Sequence, residues 1–212
     1  MNRPLLLSGL RELGIEATSA QEKRLELYLE ELHRWNRRIN LVSAAGDEII
    51  INHLLDSLAG LHRIESFEPS TILDIGSGAG FPGVPLALFL NDTKVDLLER
   101  STKRAAFLES VSALTATGNI EVYPEDLRFH RGKYDVVCMR AFRPLDKVVS
   151  EVLSTLSPGG KILCYKGRFE TIQEELERTW RILGRELCYE IEEIAVPFLD
   201  RKRHLLTVSE VL

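Results

Sequence analysis

The fold is decided by one stretch of the chain, Asp74-Ile75-Gly76-Ser77-Gly78-Ala79-Gly80-Phe81-Pro82-Gly83. Its first two residues end the short apolar run Thr71–Ile75, which predicts a buried strand. A helical stretch through Leu86–Leu90 follows it. A glycine-rich loop between a strand and a helix is typical of a ligand-binding turn in an open α/β sheet. Glycines suit such a loop because a backbone without Cβ atoms can turn tightly and approach a ligand closely.

Two ligand classes fit this loop, depending on the phase in which its glycines are read. Gly78, Gly80 and Gly83 formally match the G-x-G-x-x-G pattern of dinucleotide-binding proteins. The other phase matches the loop of S-adenosylmethionine-dependent methyltransferases, Asp74-x-Gly76-x-Gly78-x-Gly80. We favour the second phase, because an acid at the end of the strand suits a cationic ligand and offers nothing to a pyrophosphate.

A second acid, Glu99, closes the next predicted strand, Lys94–Leu98. A carboxylate at this position can accept hydrogen bonds from both hydroxyls of a ribose. Either NAD or S-adenosylmethionine would use it, so Glu99 indicates a nucleoside ligand without choosing between the two cofactors. A glycine-rich turn that binds no ligand is the third interpretation.

The spacing of the apolar residues changes near residue 66, and this change divides the chain into two regions. Residues 1–66 predict a helical extension, with Ser19 and Glu22 in a capping box and apolar residues at three- and four-residue steps beyond them. Residues 67–212 predict one compact unit in which short apolar runs alternate with helical stretches.

The second unit predicts an α/β fold with a seven-stranded, mostly parallel sheet. The strands are expected at 71–75, 94–98, 120–123, 134–139, 161–165, 186–196 and 204–208. The last two lack an intervening helix and should form an antiparallel hairpin. A helix near 145–156 should end in a turn at 157–160. A ligand is expected beyond the carboxyl ends of the parallel strands.

Composition describes a globular protein without a membrane span. The chain has 212 residues, 44% of them hydrophobic, and no stretch approaches the roughly 18 apolar residues that a span needs. Its three widely separated cysteines predict free thiols in the reducing cytoplasm, and no zinc-type spacing occurs. The net charge of −5 argues weakly against a nucleic-acid partner. The segment 170–193 alone carries this charge, however, so the rest of the chain has no net charge.

The extended loop resembles the signature of the glucose-inhibited division protein B family. The Phe81-Pro82-Gly83-Val84-Pro85 extension is far more specific than the glycines. The resemblance covers nearly the whole chain in order, with further matches at Trp35-Asn36, Ile39-Asn40-Leu41, 53–58, Lys103-Arg104, Phe107-Leu108, 140–142, Lys166-Gly167 and 203–205.

This resemblance implies a bacterial methyltransferase that acts on N7 of one guanine in 16S ribosomal RNA. The implied fold is the class I, Rossmann-like S-adenosylmethionine-dependent methyltransferase fold with an N-terminal helical extension. The implied cofactor is S-adenosylmethionine, released as S-adenosylhomocysteine, with no metal. We expect a cytoplasmic monomer whose partner is the small ribosomal subunit or an assembly intermediate. The alternatives are a methyltransferase for another RNA site or a small molecule, and a non-catalytic nucleotide- or RNA-binding module.

Motif matching assigns cofactor-binding residues. Those expected at the cofactor are Asp74, Gly76, Gly78, Gly80, Phe81, Glu99, Pro124, Glu125 and Arg140. Two departures from the family pattern matter. Pro124 has no backbone N–H, so a donor to adenine must come from Glu125 or Asp126. Glu99 stands where the family commonly has Asp, and the longer acid should still reach the ribose.

Guanine N7 carries a lone pair and no proton, so its methylation needs no general base. The loop after the fourth strand, 139–144, agrees, since it lacks the Asn/Asp-Pro-Pro-Tyr/Phe motif of amino-methylating enzymes. Arg140, the expected catalytic residue, cannot be a base and should orient the guanine through O6 or a phosphate. A salt bridge from Arg140 to Asp74 or Glu99 is the structural alternative.

Basic and aromatic residues in the same loops are candidates for RNA contact. Phe142 could stack on a base or pack in the core. The other RNA candidates are Arg143, Lys166, Arg168, Arg201 and Arg203. Ordinary solvated charges explain most of these positions nearly as well.

Overall fold

The computed structural model describes residues 1–209 and contains one mixed sheet in the order β3-β2-β1-β4-β5-β7-β6. Its strands are β1 (Thr71–Ile75), β2 (Lys94–Leu98), β3 (Ile120–Tyr123), β4 (Tyr134–Arg140), β5 (Leu156–Lys166), β6 (Cys188–Ile194) and β7 (Arg203–Ser209). Strands β1 to β5 are parallel, and β7 runs antiparallel to both β5 and β6. The predicted α/β fold, with its mostly parallel seven-stranded sheet and C-terminal antiparallel hairpin, is confirmed.

Helices precede the sheet and cover both of its faces. Those before β1 are α1 (Arg3–Glu12), α2 (Ser19–Ile39), α3 (Asp47–Ile49), a π-helical turn (Ile50–Leu55), α4 (Asp56–Leu58) and α5 (Leu61–Glu65). Those between strands are α6 (Gly83–Phe89), α7 (Thr102–Thr115), a 3₁₀ turn (Leu145–Lys147), α8 (Val149–Leu153) and α9 (Phe169–Leu183). Within the described residues, none of the helices combines the length and apolar character needed to span a bilayer.

The two faces of the sheet bury separate apolar cores. Successive residues of a strand point to opposite faces, so Ile72 lies in one core and Leu73 in the other. Leu25 of α2 and Phe107 of α7 are fully buried in the core that contains Ile72. The N-terminal helices therefore pack on the sheet through the same core as α6 and α7, and the division at residue 66 remains a prediction.

The capping box of α2 lies one residue earlier than predicted. The Thr18 hydroxyl accepts from the Gln21 N–H at 3.2 Å, and the Gln21 side chain accepts from the Thr18 N–H at 2.9 Å. Glu22 forms an ion pair with Arg3 instead. Thr and Gln satisfy the helix terminus by the same chemistry that Ser and Glu would have used.

The turn predicted at 157–160 lies inside β5. The register shifts there, because Tyr134 pairs with Leu156 while Val136 pairs with Lys161. The Tyr134 N–H donates to the Thr155 carbonyl at 2.9 Å, so pairing begins before the Pro-Gly-Gly segment. The extra residues form a bulge, where a sheet tolerates proline.

Candidate active site

A cavity of about 260 Å³ opens at the carboxyl ends of the first four strands. Its walls include Gly76 after β1, Glu99 after β2, Glu125 after β3 and Phe142 after β4. This is the edge of the sheet where the sequence predicts a ligand. Among residues 1–209, no group of three or more His, Cys, Asp or Glu side chains could hold a metal ion.

The glycine loop needs its glycines for two physical reasons. Gly76, Gly78 and Gly80 have φ values of +71°, +56° and +91°, a region that L side chains rarely adopt. A Cβ atom at Gly76 would lie 2.4 Å from the ring of Phe142. The backbone therefore fits closely against Phe142 in the wall of the cavity.

Glu99 ties the loop to the end of β2. One of its carboxylate oxygens accepts from the Gly78 N–H at 3.0 Å, and the other accepts from the Ser101 N–H at 2.8 Å. The side chain is buried yet lines the cavity. Each carboxylate oxygen has a second lone pair, so the residue can still accept from a ligand hydroxyl.

Asp74 lies beneath the glycine loop and not in the wall of the cavity. One carboxylate oxygen accepts from the Gly83 N–H at 3.1 Å, at the start of α6, and the other is buried without a partner among the described residues. Burial raises the pKa of Asp74 to about 7. The side chain points toward α6 and supports the loop from behind, and a role for Asp74 at a cationic cofactor stays a prediction.

Phe81 and Gly80 also hold the loop from behind and do not line the cavity. The buried Phe81 ring packs 5.5 Å from Tyr28 and stacks 5.2 Å from His53. Tyr28 of α2 donates its hydroxyl to the Ala79 carbonyl at 2.6 Å. Sequence reasoning missed Tyr28, whose only signal was its place on the apolar face of α2.

The segment after β3 contributes Glu125 and Asp126 to the cavity, whereas Pro124 is exposed outside it. The Glu125 N–H donates to the Tyr123 carbonyl at 2.9 Å, so this donor is already used within the turn. Of the two backbone donors that the sequence left open for adenine, that of Asp126 has no hydrogen-bond partner within residues 1–209.

Arg140, at the end of β4, is anchored to the N-terminal helices. Its Nε donates to Asp56 Oδ2 at 2.8 Å, and its Nη2 donates to the Asn52 carbonyl at 2.7 Å and to His53 Nδ1 at 2.9 Å. Arg203 donates to both oxygens of Asp56, at 2.6 and 2.5 Å. The alternative of a salt bridge to Asp74 or Glu99 is wrong, because the guanidinium extends toward the π-helical turn.

The protonation of this cluster follows from its hydrogen bonds. Burial opposes ionisation of Asp56, but the hydrogen bonds and charges of Arg203 and Arg140 lower its pKa. A guanidinium can only donate, so His53 Nδ1 accepts and the ring proton lies on Nε2. Burial, reinforced by the charge of Arg140, lowers the pKa of His53 to about 4. His53 Nδ1 is occupied and burial disfavours the charged ring, while two arginines hold Asp56 ionised, so neither group is suited to take a proton from a substrate.

The structure separates the residues expected to contact RNA. Lys166 is held in an ion pair with Glu175 at 2.6 Å, and Arg203 is held by Asp56. Arg168 is exposed, and the exposed Arg201 donates to the Asn52 side chain at 3.0 Å. Only Phe142 and Arg143 line the cavity, where the guanidinium lies 5.5 Å from the Phe142 ring.

The cavity also has an arginine rim that sequence reasoning missed. The side chains of Arg100, Arg104 and Arg128 line it and are exposed. Next to Arg128, the Phe129 ring is 65% exposed. For Arg128 and Phe129, the signal was the basic and aromatic run 127–131 directly after Asp126.

A family model described as rRNA small subunit methyltransferase G matches residues 21–206. A curated relative, ribosomal RNA small subunit methyltransferase G of Treponema denticola, is 37% identical to this chain. That alignment covers 99% of the chain and 95% of the relative.

Solved structures share the fold at low identity. A putative O-methyltransferase from Klebsiella pneumoniae superposes with a TM-score of 0.63 at 15% identity, covering 95% of this chain and 94% of that one. The M. jannaschii TYW2 structure in complex with AdoMet gives 0.53 at 18% identity, covering 72% and 77%. These likenesses confirm the class I methyltransferase fold.

Proposed function

The chain belongs to the rRNA small subunit methyltransferase G family, and on that premise we propose that it methylates N7 of one guanine in 16S ribosomal RNA. It is an S-adenosylmethionine-dependent methyltransferase of ribosomal RNA. The choice of N7 rests on one observation, that the histidine and the carboxylate beside Arg140 are held by arginine donors and are not suited to act as a proton acceptor. Methylation of an amine or a hydroxyl would need such a group, whereas N7 needs none.

The cavity fits the cofactor by its shape and its acceptors. Gly76 has a positive φ and any side chain there would clash with the Phe142 ring, so bare backbone forms one wall of a cradle for the cofactor. Glu99 is placed for the ribose hydroxyls, and Glu125 and Asp126, after the neighbouring strand, for the base. S-adenosylmethionine supplies an electrophilic methyl group when bound. Asp74, Gly80 and Phe81 support this cradle from behind.

Arg140 does not itself line the cavity but precedes Ala141 in its wall, and from there it orients the acceptor base. Asp56, the Asn52 carbonyl and His53 fix the guanidinium through Nε and Nη2, and Nη1 has no hydrogen-bond partner among the described residues. This nitrogen and the Nε2–H of His53 are donors suited to guanine O6 or a phosphate. Holding the base with N7 in line with the methyl group is worth several kcal/mol of barrier through orientation alone.

Charge favours RNA approach at the cavity and not at the opposite edge. Four arginines that line the cavity are exposed, whereas its four acids are buried or half-buried; the arginines are Arg100, Arg104, Arg143 and Arg128, the last of which pairs with Asp126 at 2.9 Å. The acidic segment 170–193 lies in α9 and in β6, which is the last strand of the sheet. We place the RNA on the arginine rim, with Arg168 and Arg201 as secondary contacts.

The biological setting follows from a ribosomal substrate. We propose that the enzyme acts as a cytoplasmic monomer on the small subunit or on an assembly intermediate. Binding to arbitrary RNA should be weak and salt-sensitive, because phosphate contacts without a structured target give only the non-specific term.

Mass mapping of small-subunit RNA from a deletion strain tests the proposed function. We expect one 7-methylguanosine to disappear and to return when this chain is expressed. An unchanged 7-methylguanosine content, or loss of a different methylated nucleotide, would contradict the N7 assignment. Calorimetry with S-adenosylmethionine tests the non-catalytic alternative, which requires that the purified protein bind no cofactor.

A further inference from the structure

A chain of buried polar groups runs away from the cavity behind Glu125. His130 Nδ1 lies 2.6 Å from Glu125 Oε1, and His130 Nε2 lies 2.8 Å from the hydroxyl of Tyr134. That hydroxyl donates to Asp96 Oδ2 at 2.7 Å. His130, Tyr134 and Asp96 are all at least 95% buried, whereas Glu125 lines the cavity and its side chain is 38% exposed.

The hydrogens of this chain can be assigned from one end to the other. The Asp96 carboxylate is paired with Lys94 at 3.3 Å, so it accepts and Tyr134 must donate to it. The Tyr134 oxygen then accepts from a proton on His130 Nε2. A contact of 2.6 Å between Nδ1 and a carboxylate oxygen requires a second proton between them. The pair of Glu125 and His130 therefore shares one proton and carries no net charge.

The packing around His130 leaves the ring one orientation. It stacks on Tyr134 at 5.6 Å between centroids and meets Tyr123 edge-on at 5.1 Å. A Cβ atom at Gly132 would lie 2.6 Å from His130 Nε2 and 2.5 Å from the Tyr134 hydroxyl, so the absent side chain makes room for their contact. The ring is thus fixed by both stacking and hydrogen bonds.

We propose that His130 is a positioning residue that fixes Glu125 as the acceptor for the exocyclic amine of the cofactor's adenine. His130 holds Oε1, and Oε2 has no hydrogen-bond partner in the described part of the chain and belongs to the side chain that lines the cavity. The strand order places Glu125 one strand beyond the ribose site at Glu99, where the base must lie. This inference rests on the proposed cofactor. It explains which residues would make the site select adenine over other bases.

The test compares two ligands that differ at one position of the base. S-adenosylhomocysteine has the 6-amino group, and S-inosylhomocysteine has a carbonyl oxygen there, which would face the Glu125 carboxylate as a second acceptor. We expect the wild-type protein to prefer the adenosyl compound by about tenfold or more in Kd, because the inosyl compound loses one hydrogen bond to a charged group. His130→Phe, which keeps a stacked ring, should reduce that preference to less than about threefold.

A conservative variant separates positioning from simple packing. In His130→Asn, the amide N–H can occupy the place of Nδ1 and donate to Glu125, so this variant should keep most of the preference. Equal weakening of both ligands by His130→Phe, or a preference unchanged from the wild type, would overturn the proposal. Binding of neither ligand to the wild-type protein would overturn the cofactor assignment as well, so the two failures are distinguishable.

Discussion

Two histidines contact charged groups through Nδ1: His53 beside Arg140, at the proposed methyl-transfer end of the site, and His130 beside Glu125, at the proposed adenine end. The partner of His53 is the Arg140 guanidinium, which can only donate, whereas the partner of His130 is the Glu125 carboxylate. The first ring is therefore neutral with its proton on Nε2, and the second shares a proton with its partner. The comparison shows that the hydrogen-bonding character of the neighbour, and not burial alone, decides what a histidine contributes.

The two ends also differ in what their carboxylates hold together. Asp56 joins the N-terminal helices to β4 and β7 by accepting from two arginines, and its side chain is 1% exposed. Asp96 joins β2 to β4 through the neutral hydroxyl of Tyr134. We expect the methyl-transfer end to depend on its acid for stability and the adenine end to depend on its acid for alignment.

Removing Asp56 should have the largest effect of the changes considered. Asp56→Ala leaves Arg140 and Arg203 without their carboxylate, and a broken buried ion pair costs about 3–5 kcal/mol. Asp96→Asn keeps an oxygen that accepts from Tyr134 and should cost about 1 kcal/mol. Urea unfolding of both variants measures the contrast. Equal losses would show that the two ends are anchored alike.

Replacing Arg140 should separate catalysis from cofactor binding. Arg140→Lys retains a positive charge but cannot make the forked contacts to Asp56, Asn52 and His53. We expect kcat on the small-subunit substrate to fall about a hundredfold through misorientation, with Kd for S-adenosylhomocysteine within twofold of wild type. Steady-state methylation and calorimetry measure the two quantities. A large change in cofactor affinity with normal kcat would place Arg140 in the cofactor site instead.

The features that the sequence predicted correctly are local in the chain. The glycine loop and its flanking strand and helix lie within 20 residues, and the parallel pairing of β1 to β5 follows from alternation of strands with helices. The sequence did not show the direction of the Asp74 side chain, because a position at the end of a strand does not say which face the carboxylate takes.

The features that sequence reasoning missed depend on contacts between distant residues. Arg140 and Asp56 are 84 residues apart, and Tyr134 and Asp96 are 38 apart. The sequence shows that Lys166 and Arg203 are charged but not that Glu175 and Asp56 lie beside them. A basic residue near a strand end is thus a poor indicator of RNA contact until its internal partners are known.

We expect the smallest effect from the protonation of His53, which should make the stability of the protein depend on pH. Its folded pKa of about 4 lies below the ordinary value of 6.5, because burial and Arg140 disfavour the charged ring. Between these values the unfolded chain binds the proton and the folded chain does not, so stability falls as the pH drops from 6.5 toward 4. His53→Asn keeps an oxygen that can accept from Arg140 but does not titrate. The difference in unfolding free energy between wild type and variant should therefore change by about 1 kcal/mol over this range, allowing for solvent screening at a half-buried site. It should stay constant above pH 7, and a difference independent of pH throughout would show that His53 is not held neutral by its partners.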